Sequence, residues 1–231
     1  MLLVTEDGGT LARTPALPPT ANAERNEVAI ALQADGQAII EVRSVRRGNK
    51  QDWHRQAVHE LSQEELEKKF QERLTLPGFT YQKLAINAAA DEPEAAVHFK
   101  ATVPRYASKA GKRLFLPVNV FNPFTKVPPA IENRIHPVVL RNGYAEEDII
   151  TFTLPQGYEV ESLPSEDIFM DTAYGSYSLK ASKGEGTVTV ERRLEIRPVN
   201  LPADEYGAWR DFQKEVAKMD AIKLVLVEKK T

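Results

Sequence analysis

Apolar and polar residues alternate at period two along most of the chain. From Val28 to Leu32 every second residue is strongly apolar, and Asp35-Gly36 separates this run from a second one at Ile40 and Val42. An Asp-Gly pair between alternating runs predicts a hairpin, because both residues tolerate the positive φ of tight turns. The alternation recurs in residues 97–103, 116–120, 150–154, 188–196 and 222–226. Because burial of one face of antiparallel strands produces this pattern, we predict a mainly β protein, an antiparallel β-sandwich or two packed sub-sandwiches.

Two segments have helical spacing instead. Ser62 and Glu65 form a capping-box sequence, in which each side chain can bond the backbone N–H of the other residue. A helix is therefore predicted over about 62–74, and a second one over about 203–219, after Pro202. The apolar stripes are Leu66, Phe70 and Leu74 in the first, and Tyr206, Trp209, Phe212, Val216 and Met219 in the second.

Prolines suggest how the chain is divided. A proline-rich segment at 123–137 predicts an N-terminal β-rich half over 1–122 with the first helix, and a C-terminal β-rich half over 123–231 with the second. The alternative is one continuous domain, which a length of 231 residues also suits. A shorter proline segment, 15–19, is expected to form an extended linker after the first strand.

Charge and hydropathy exclude two classes of protein. The 30 basic and 33 acidic residues give a net charge of −3 and are mixed along the chain. The basic clusters 43–50 and 109–113 are interpreted as solvated turns, so nucleic acid is not an expected partner. No apolar run reaches the roughly 20 residues that span a bilayer. The first residues lack the basic and apolar regions of a signal peptide, and we expect the sequence to be a piece of a longer protein.

No set of residues has the spacing of an active site. The absence of cysteine removes thiol nucleophiles, thiolate metal sites and disulfides. His54 and His59 are five residues apart, so they do not form the usual i, i+4 zinc pair; His98 is expected on the wet face of a strand and His136 in a loop. We therefore predict no catalytic, cofactor-binding or metal-binding residue, and a protein that is not an enzyme. A hydrolase would need His54, His59 and an acid to converge in the fold.

Four aromatic residues support an alternative function. Trp53, Tyr144, Tyr174 and Tyr177 lie near predicted turns, where exposed rings can stack on sugars. A carbohydrate-binding β-sandwich module would present at least two of them coplanar in a shallow groove. The other interpretation is that these rings close the open ends of the sandwich, since they combine an apolar body with a polar tip.

Several segments of the chain resemble one known family. They are Leu3-Val4-Thr5, Thr10-Leu11-Ala12-Arg13-Thr14-Pro15, residues 26–32 with Asp35-Gly36, residues 134–138 with Leu140, Thr151-Phe152-Thr153-Leu154-Pro155-Gln156-Gly157-Tyr158, and residues 206–212. The first three resemble the segment that directly follows the transglutaminase-like core in bacterial envelope proteins. The others are similar to the C-terminal β-rich domain of unknown function in the same proteins. Together they extend over nearly the whole chain.

The resemblance implies an architecture and a location. In the family, a β-rich domain, a transglutaminase-like domain and this kind of C-terminal domain follow one another. The catalytic Cys, His and Asp residues of the family belong to the middle domain. Since this chain has no cysteine, no catalytic residue of the family is assigned to any of its positions. The implied function is a non-catalytic accessory or interaction module that supports or orients the upstream transglutaminase-like domain, in the periplasm or at the cell surface. An envelope protein or a glycan is a further implied partner. Such a module predicts an apolar patch larger than a typical monomer shows, near the first strand and residues 15–19.

Overall fold

The computed structural model describes residues 2–13, 17–74, 76, 78–89, 92–164 and 167–229, and this part of the chain is mainly β. The strands are β1 Leu2–Thr5, β2 Gly8–Leu11, β3 Ala23–Leu32, β4 Ala38–Arg47, β5 Thr80–Asn87, β6 Glu94–Val103, β7 Ser108–Ala110, β8 Arg113–Pro117, β9 Val138–Leu140, β10 Tyr144–Thr153, β11 Tyr158–Ser162, β12 Ile168–Thr172, β13 Gly175–Gly184, β14 Thr187–Ile196, β15 Val199–Leu201 and β16 Lys223–Glu228. The α-helices are α1 Asp52–Glu60, α2 Gln63–Arg73 and α3 Tyr206–Asp220.

Most strands belong to two sheets. Eight strands form the larger sheet in the order β12-β13-β14-β10-β3-β4-β6-β5, and four form the smaller one in the order β11-β16-β8-β7. Two further pairs, β1–β2 and β15–β9, stand outside these sheets. All neighbours are antiparallel except β10 and β3, which run parallel. The predicted mainly β, antiparallel fold is confirmed, with this one parallel pair as a departure.

The period-two pattern explains the core between the sheets. On β3, Val28, Ile30 and Leu32 are buried, whereas the residues between them are exposed. Leu116 and Leu224 of the smaller sheet are also buried and belong to the same apolar cluster. Each such side chain stabilises the fold by about 1.5–3 kcal/mol when it leaves water. The result is a sandwich-like packing of the two sheets.

Both halves of the sequence contribute strands to both sheets. The larger sheet joins β3–β6 from the first half to β10 and β12–β14 from the second, through the parallel β3–β10 pair. The smaller sheet combines β7 and β8 with β11 and β16. The division at residue 122 stays a prediction.

The two predicted helices are present, and a third was missed. In α2 the capping box forms: the Ser62 N–H donates to Glu65 Oε2 at 3.0 Å, and the Glu65 N–H reaches Ser62 Oγ at 3.4 Å. The second prediction corresponds to a 3₁₀ turn at Ala203–Glu205 followed by α3. The missed helix is α1. Its buried residues are His54 and Ala57, so its sequence does not show the apolar stripe by which a helix is predicted.

The structure bears on the interpretation of two short segments, the basic cluster 43–50 and the proline segment 15–19. The basic cluster 43–50 is not a turn throughout, because residues 43–47 continue β4 as far as Arg47. Arg46 there pairs with Glu24 on β3 at 2.9 Å, so a charged residue is accommodated inside a strand. Residues 15 and 16 of the predicted linker lie outside the described residues; Pro19 begins a short 3₁₀ turn. None of the described helices is long and apolar enough to span a membrane.

Candidate functional site

A charged layer interrupts the apolar inner face of the larger sheet. On β14, Arg192 occupies an inward position between the buried Val190 and Leu194, and is itself only 1% exposed. In the strand register it lies opposite Asp148 of β10, which in turn lies opposite Asn26 of β3. Two residues further along the strands in one direction, the inward positions are apolar: Ile150, Val190 and Val28. In the other direction, Leu194 lies opposite Glu146, and Glu146 lies opposite Glu24. The charged layer therefore crosses three neighbouring strands and extends from the level of Asp148 to that of Glu146 and Glu24.

Three carboxylates surround the Arg192 guanidinium. Its Nη1 donates to Asp148 Oδ2 at 2.8 Å and to Glu146 Oε2 at 3.2 Å. Its Nε and Nη2 donate to the two oxygens of Asp220, at 2.7 and 2.9 Å. Asp220 is the last residue of α3, so the arginine joins the helix to β10 and β14. We call these four residues the Arg192 cluster.

Further polar groups satisfy the outer oxygens of the cluster. Lys50 Nζ donates to Glu146 Oε1 at 2.8 Å. Asp220 accepts from the Tyr177 hydroxyl at 2.8 Å and from the Phe124 N–H at 2.9 Å. Asp148 Oδ1 accepts from Asn26 Nδ2 at 2.7 Å and, at a longer 3.4 Å, from Asn122 Nδ2. The cluster thus reaches the loop after β8 as well as the helix.

Burial and mutual attraction act in opposite directions on these groups. Burial lowers the pKa of Arg192, but the attraction of Asp148, Asp220 and Glu146 outweighs it and raises the pKa well above its usual range. Burial raises the pKa of Asp148 to about 6, although Arg192 opposes this shift. The three carboxylates therefore keep Arg192 charged, and burial favours the neutral form of Asp148.

The geometry of the cluster is that of a buried ion-pair network that joins α3 to the larger sheet. The side chains of Arg192, Asp148 and Asp220 are almost completely buried, and the hydrogen bonds of the guanidinium all go to protein carboxylates. A buried ion pair of this kind contributes little net stability compared with apolar packing, but removing one partner leaves an uncompensated charge. The ion pairs of the cluster therefore hold α3 in its position against the sheet. The sequence carried a signal for it: charged residues at inward positions of two otherwise alternating strands.

The histidines are placed in separate surroundings. His54 is buried in α1 beside Trp53 and Phe70, with ring centroids 4.9 and 6.2 Å away, whereas His59 is exposed. Burial lowers the pKa of His54 to about 3, and Arg46 adds to the effect. His98 Nε2 lies 3.1 Å from a carboxylate oxygen of Glu41 on the outer face of the sheet. His136 is exposed in a loop.

These positions bear on the metal-dependent alternative. Within the described ranges, no group of three or more His, Asp or Glu side chains is arranged to hold a metal ion. The convergence of His54, His59 and an acid that a hydrolase requires is not seen among these residues.

The four aromatic residues suggested as a sugar platform are all engaged in packing. Tyr177 is buried in the core. Trp53 stacks on Phe70 and lies under the Arg73 guanidinium, 4.4 Å from its ring centroid. Tyr144 lies under Lys50, and Tyr174 packs on Phe212. None of the four is exposed, which removes the coplanar pair that the carbohydrate-binding alternative requires of them.

The proline-rich loop is fastened to α3 along an open groove of about 770 Å³. The Tyr206 hydroxyl donates to the Pro129 carbonyl at 2.6 Å, and Arg210 Nε to the Pro128 carbonyl at 2.8 Å. The Arg134 guanidinium lies 4.5 Å from the centroid of the Tyr206 ring. The polar side chains of the groove therefore hold the loop in place.

The β1–β2 hairpin presents apolar side chains to water. All eight of its strand residues are exposed. Leu2 lies opposite Leu11, and Val4 lies opposite Gly9, so Leu2, Val4 and Leu11 share one face. They are 58%, 84% and 85% exposed. The second face carries Leu3 and Thr10, which is a more polar composition. The hairpin is thus amphipathic, with an uncovered apolar face.

The hairpin has a defined local geometry although it has little support from the rest of the fold. Gly8 follows the Glu6-Asp7 turn with φ +116°, a value that favours glycine, and its carbonyl accepts from Thr5 Oγ1 at 2.8 Å. Gly9 leaves room for Leu2, whose Cδ1 lies 2.9 Å from where a Cβ at position 9 would stand. A two-stranded hairpin by itself is at best marginally stable in water. Covering its apolar face would therefore stabilise it.

A family model matches the second half of the chain. Residues 112–226 match the model of the DUF3858 family, a domain of unknown function with a solved structure. The match includes all four residues of the Arg192 cluster and does not include the β1–β2 hairpin.

Among solved structures, the chain is similar to one described as "a putative protease from Parabacteroides distasonis", with 18% identity and a TM-score of 0.36. The alignment covers 42% of this chain and 19% of that one, so the chain spans less than a fifth of that protein's length. A likeness of this size carries no conclusion about activity. No curated protein matches the sequence.

Proposed function

We propose that this chain is a non-catalytic interaction module of a larger transglutaminase-like envelope protein, and that its β1–β2 hairpin packs on the transglutaminase-like domain of the same polypeptide. The observation that carries the proposal is the exposed apolar face of the hairpin, formed by Leu2, Val4 and Leu11. The resemblance of several segments to the tail domain of such proteins supports the identity of the partner. The proposed location is the periplasm or the cell surface, as that resemblance implies.

The chemistry of the hairpin favours a protein surface as its partner. Its apolar face is aliphatic, whereas sugars are bound mainly by aromatic platforms and directed hydrogen bonds. Each of Leu2, Val4 and Leu11 would stabilise a complex by about 1.5–3 kcal/mol on complete burial. The outer edges of β1 and β2 are not paired with other described strands, so they can also add to the edge of a neighbouring sheet.

The contacts inside the β-sandwich support a structural role for this part of the protein. The Arg192 cluster, which contains the most deeply buried ionised groups, is used to fix α3 on the sheet. The groove beside α3 is used to fix the proline-rich loop. These contacts hold α3 and the proline-rich loop in place on the sandwich, and we propose that the sandwich supports the hairpin.

The proposal is tested by binding between the purified chain and the separately purified transglutaminase-like domain, measured by isothermal titration calorimetry. Val4→Asp and Leu11→Asp should each weaken binding at least tenfold, because each places a charge in the apolar contact. The matched control is Phe169→Asp, which changes a 72% exposed apolar residue on the edge strand β12. Equal affinities for all four proteins, or no binding by the unmodified chain, would contradict the proposal.

A further inference from the structure

The charged layer around Asp148 holds one negative charge more than its cations balance. The charged and titratable groups that face Asp148 or adjoin it in this layer are Glu146 and Tyr144 on β10, Arg192 on β14, Tyr177 on β13, Asp220 on α3, Glu24 on β3, Arg46 on β4, and Lys50 in the turn after β4. With Asp148 included and the tyrosines neutral, the layer contains four carboxylates and three cations. An uncompensated charge in a buried site is costly, and a bound proton removes it.

The hydrogen bonds show which oxygen has room for that proton. Asp148 Oδ2 is engaged by Arg192 at 2.8 Å, and Oδ1 accepts from Asn26 Nδ2 at 2.7 Å. The other neighbour of Oδ1 is Asn122 Nδ2, at 3.4 Å. Charge-assisted N–H···O⁻ bonds are normally about 2.7–2.9 Å long, so this last contact is a weak one. It is the position on Asp148 at which a different hydrogen bond can form.

Asn122 has the complementary feature. Its Oδ1 is buried and has no hydrogen-bond partner among the described residues. Rotation of the side-chain amide by about 180° exchanges the positions of its oxygen and nitrogen, and amide orientations are set by the surrounding hydrogen bonds. After this rotation, an unsatisfied acceptor faces Asp148 Oδ1. A protonated Asp148 then donates its O–H to Asn122 Oδ1, and Oδ1 of Asp148 still accepts from Asn26.

We propose that Asp148 and Asn122 form a proton-operated latch between the sheet and the loop after β8. Above its midpoint, Asp148 is ionised and Asn122 is held only by the long contact. On acidification one proton from the solvent binds Asp148 Oδ1, the layer becomes neutral, and the Asn122 amide turns to accept the new hydrogen bond. The long hydrogen bond from Asn122 Nδ2 to Asp148 Oδ1 is lost in this rotation. Burial of Asp148, which raises its pKa to about 6, puts the change within a mildly acidic range.

The latch acts on the loop that also contacts α3. Two residues beyond Asn122, the Phe124 N–H donates to Asp220 Oδ2 at 2.9 Å. Asp220 is the α3 residue that Arg192 binds through both oxygens. Protonation therefore adds a hydrogen bond from β10 to Asn122, beside the one that Phe124 already makes to α3. The loop should become less mobile below the midpoint.

The test is a carbon-13 NMR titration of the Asp carboxyl groups of the whole chain, with the Asn122 side-chain amide followed in parallel. One buried carboxyl should titrate between pH 5 and 7, its signal should be absent in Asp148→Asn, and the Asn122 amide shifts should change with the same midpoint. Asn122→Ser, which shortens the acceptor, should weaken proton binding by Asp148 at least threefold. Asp211→Asn, at an exposed site on α3, should leave the titration unchanged.

Two results would overturn the inference. If the Asp148 carboxyl of the unmodified chain stays ionised down to pH 4.5, the layer does not take up the proton. If Asp148 titrates near pH 6 but Asn122 shows no change at that midpoint, Asn122 is not the acceptor and there is no latch. Neither result depends on the folding of a variant, and neither concerns the hairpin.

Discussion

Arg192 of β14 and Asp220 of α3 form a two-point ion pair inside the protein, with Nε–Oδ1 and Nη2–Oδ2 distances of 2.7 and 2.9 Å. The paired geometry fixes both the distance and the orientation of the helix end relative to the sheet. Since Arg192 also binds Asp148 and Glu146, one side chain connects three carboxylates on two elements.

Removing the arginine should leave these carboxylates buried without their main counter-charge. We expect Arg192→Met to lower the free energy of unfolding by about 3–5 kcal/mol, the usual effect of breaking a buried pair by removing one partner. Chemical denaturation followed by circular dichroism measures the change. The matched control is the neighbouring Arg193→Met on the outer face, where the effect should stay within about 0.5 kcal/mol. Equal losses in the two variants would show that Arg192 does not have this role.

The stability contributed by Asp148 should depend on pH. Its folded-state pKa of about 6 is raised from 3.8, so the folded protein binds the proton more tightly than the unfolded chain does. The contribution is therefore fully present below pH 3.8 and is lost as the pH rises through about 6. Between pH 4 and 7, the stability of the wild type relative to Asp148→Asn should fall by about 2–2.5 kcal/mol. Urea denaturation across this range measures it, and a difference that does not vary with pH would contradict the expectation.

His54 should give the opposite dependence. Burial lowers its pKa from 6.5 to about 3, so the unfolded chain binds this proton more readily. The contribution is present above pH 6.5 and is lost as the pH falls towards 3. From pH 6.5 to 4.5 the wild type should lose about 2–3 kcal/mol relative to His54→Gln. His59→Gln, at an exposed position of the same helix, is the control and should show no such difference. The two buried groups oppose each other, which flattens the pH dependence of the wild type.

The hairpin should matter little to the stability of the rest of the chain. Because Val4 and Leu11 are 84% and 85% exposed, Val4→Asp and Leu11→Asp should change the free energy of unfolding by less than about 0.5 kcal/mol. The same changes should reduce concentration-dependent self-association, since they remove an exposed apolar surface. Chemical denaturation and sedimentation velocity measure the two effects. A loss of several kcal/mol would mean that the hairpin is already packed on the sandwich.

The sequence predicts the parts of this fold that depend on local patterns. The alternation at Val28, Ile30 and Leu32 identifies a strand with one buried face, and the Ser62–Glu65 capping box identifies the start of α2. Helix α1 could not be predicted from such a pattern, because the residues that it buries are a histidine and an alanine. The parallel β3–β10 pair could not be predicted in this way either, since it joins segments that are more than 100 residues apart and is decided by packing of the whole sheet.

The buried charges could be predicted only in part. The positions of Arg192 and Asp148 among alternating apolar residues indicate that both face inward. The register that makes them neighbours, and the arrival of Asp220 from α3, depend on tertiary structure. The module interpretation predicts an unusually large apolar patch near the first strand, and this stays a prediction; Leu2, Val4 and Leu11 are exposed there.

Hydrogen exchange of the hairpin amides tests the proposed function most directly. The rates for residues 2–11 are to be compared between the isolated chain and the longer polypeptide that includes the transglutaminase-like domain, with β3 as an internal reference. We expect rapid exchange in the isolated chain and at least tenfold slower exchange of these amides in the longer polypeptide, while β3 remains unchanged. Equal rates for the hairpin in the two proteins would contradict it.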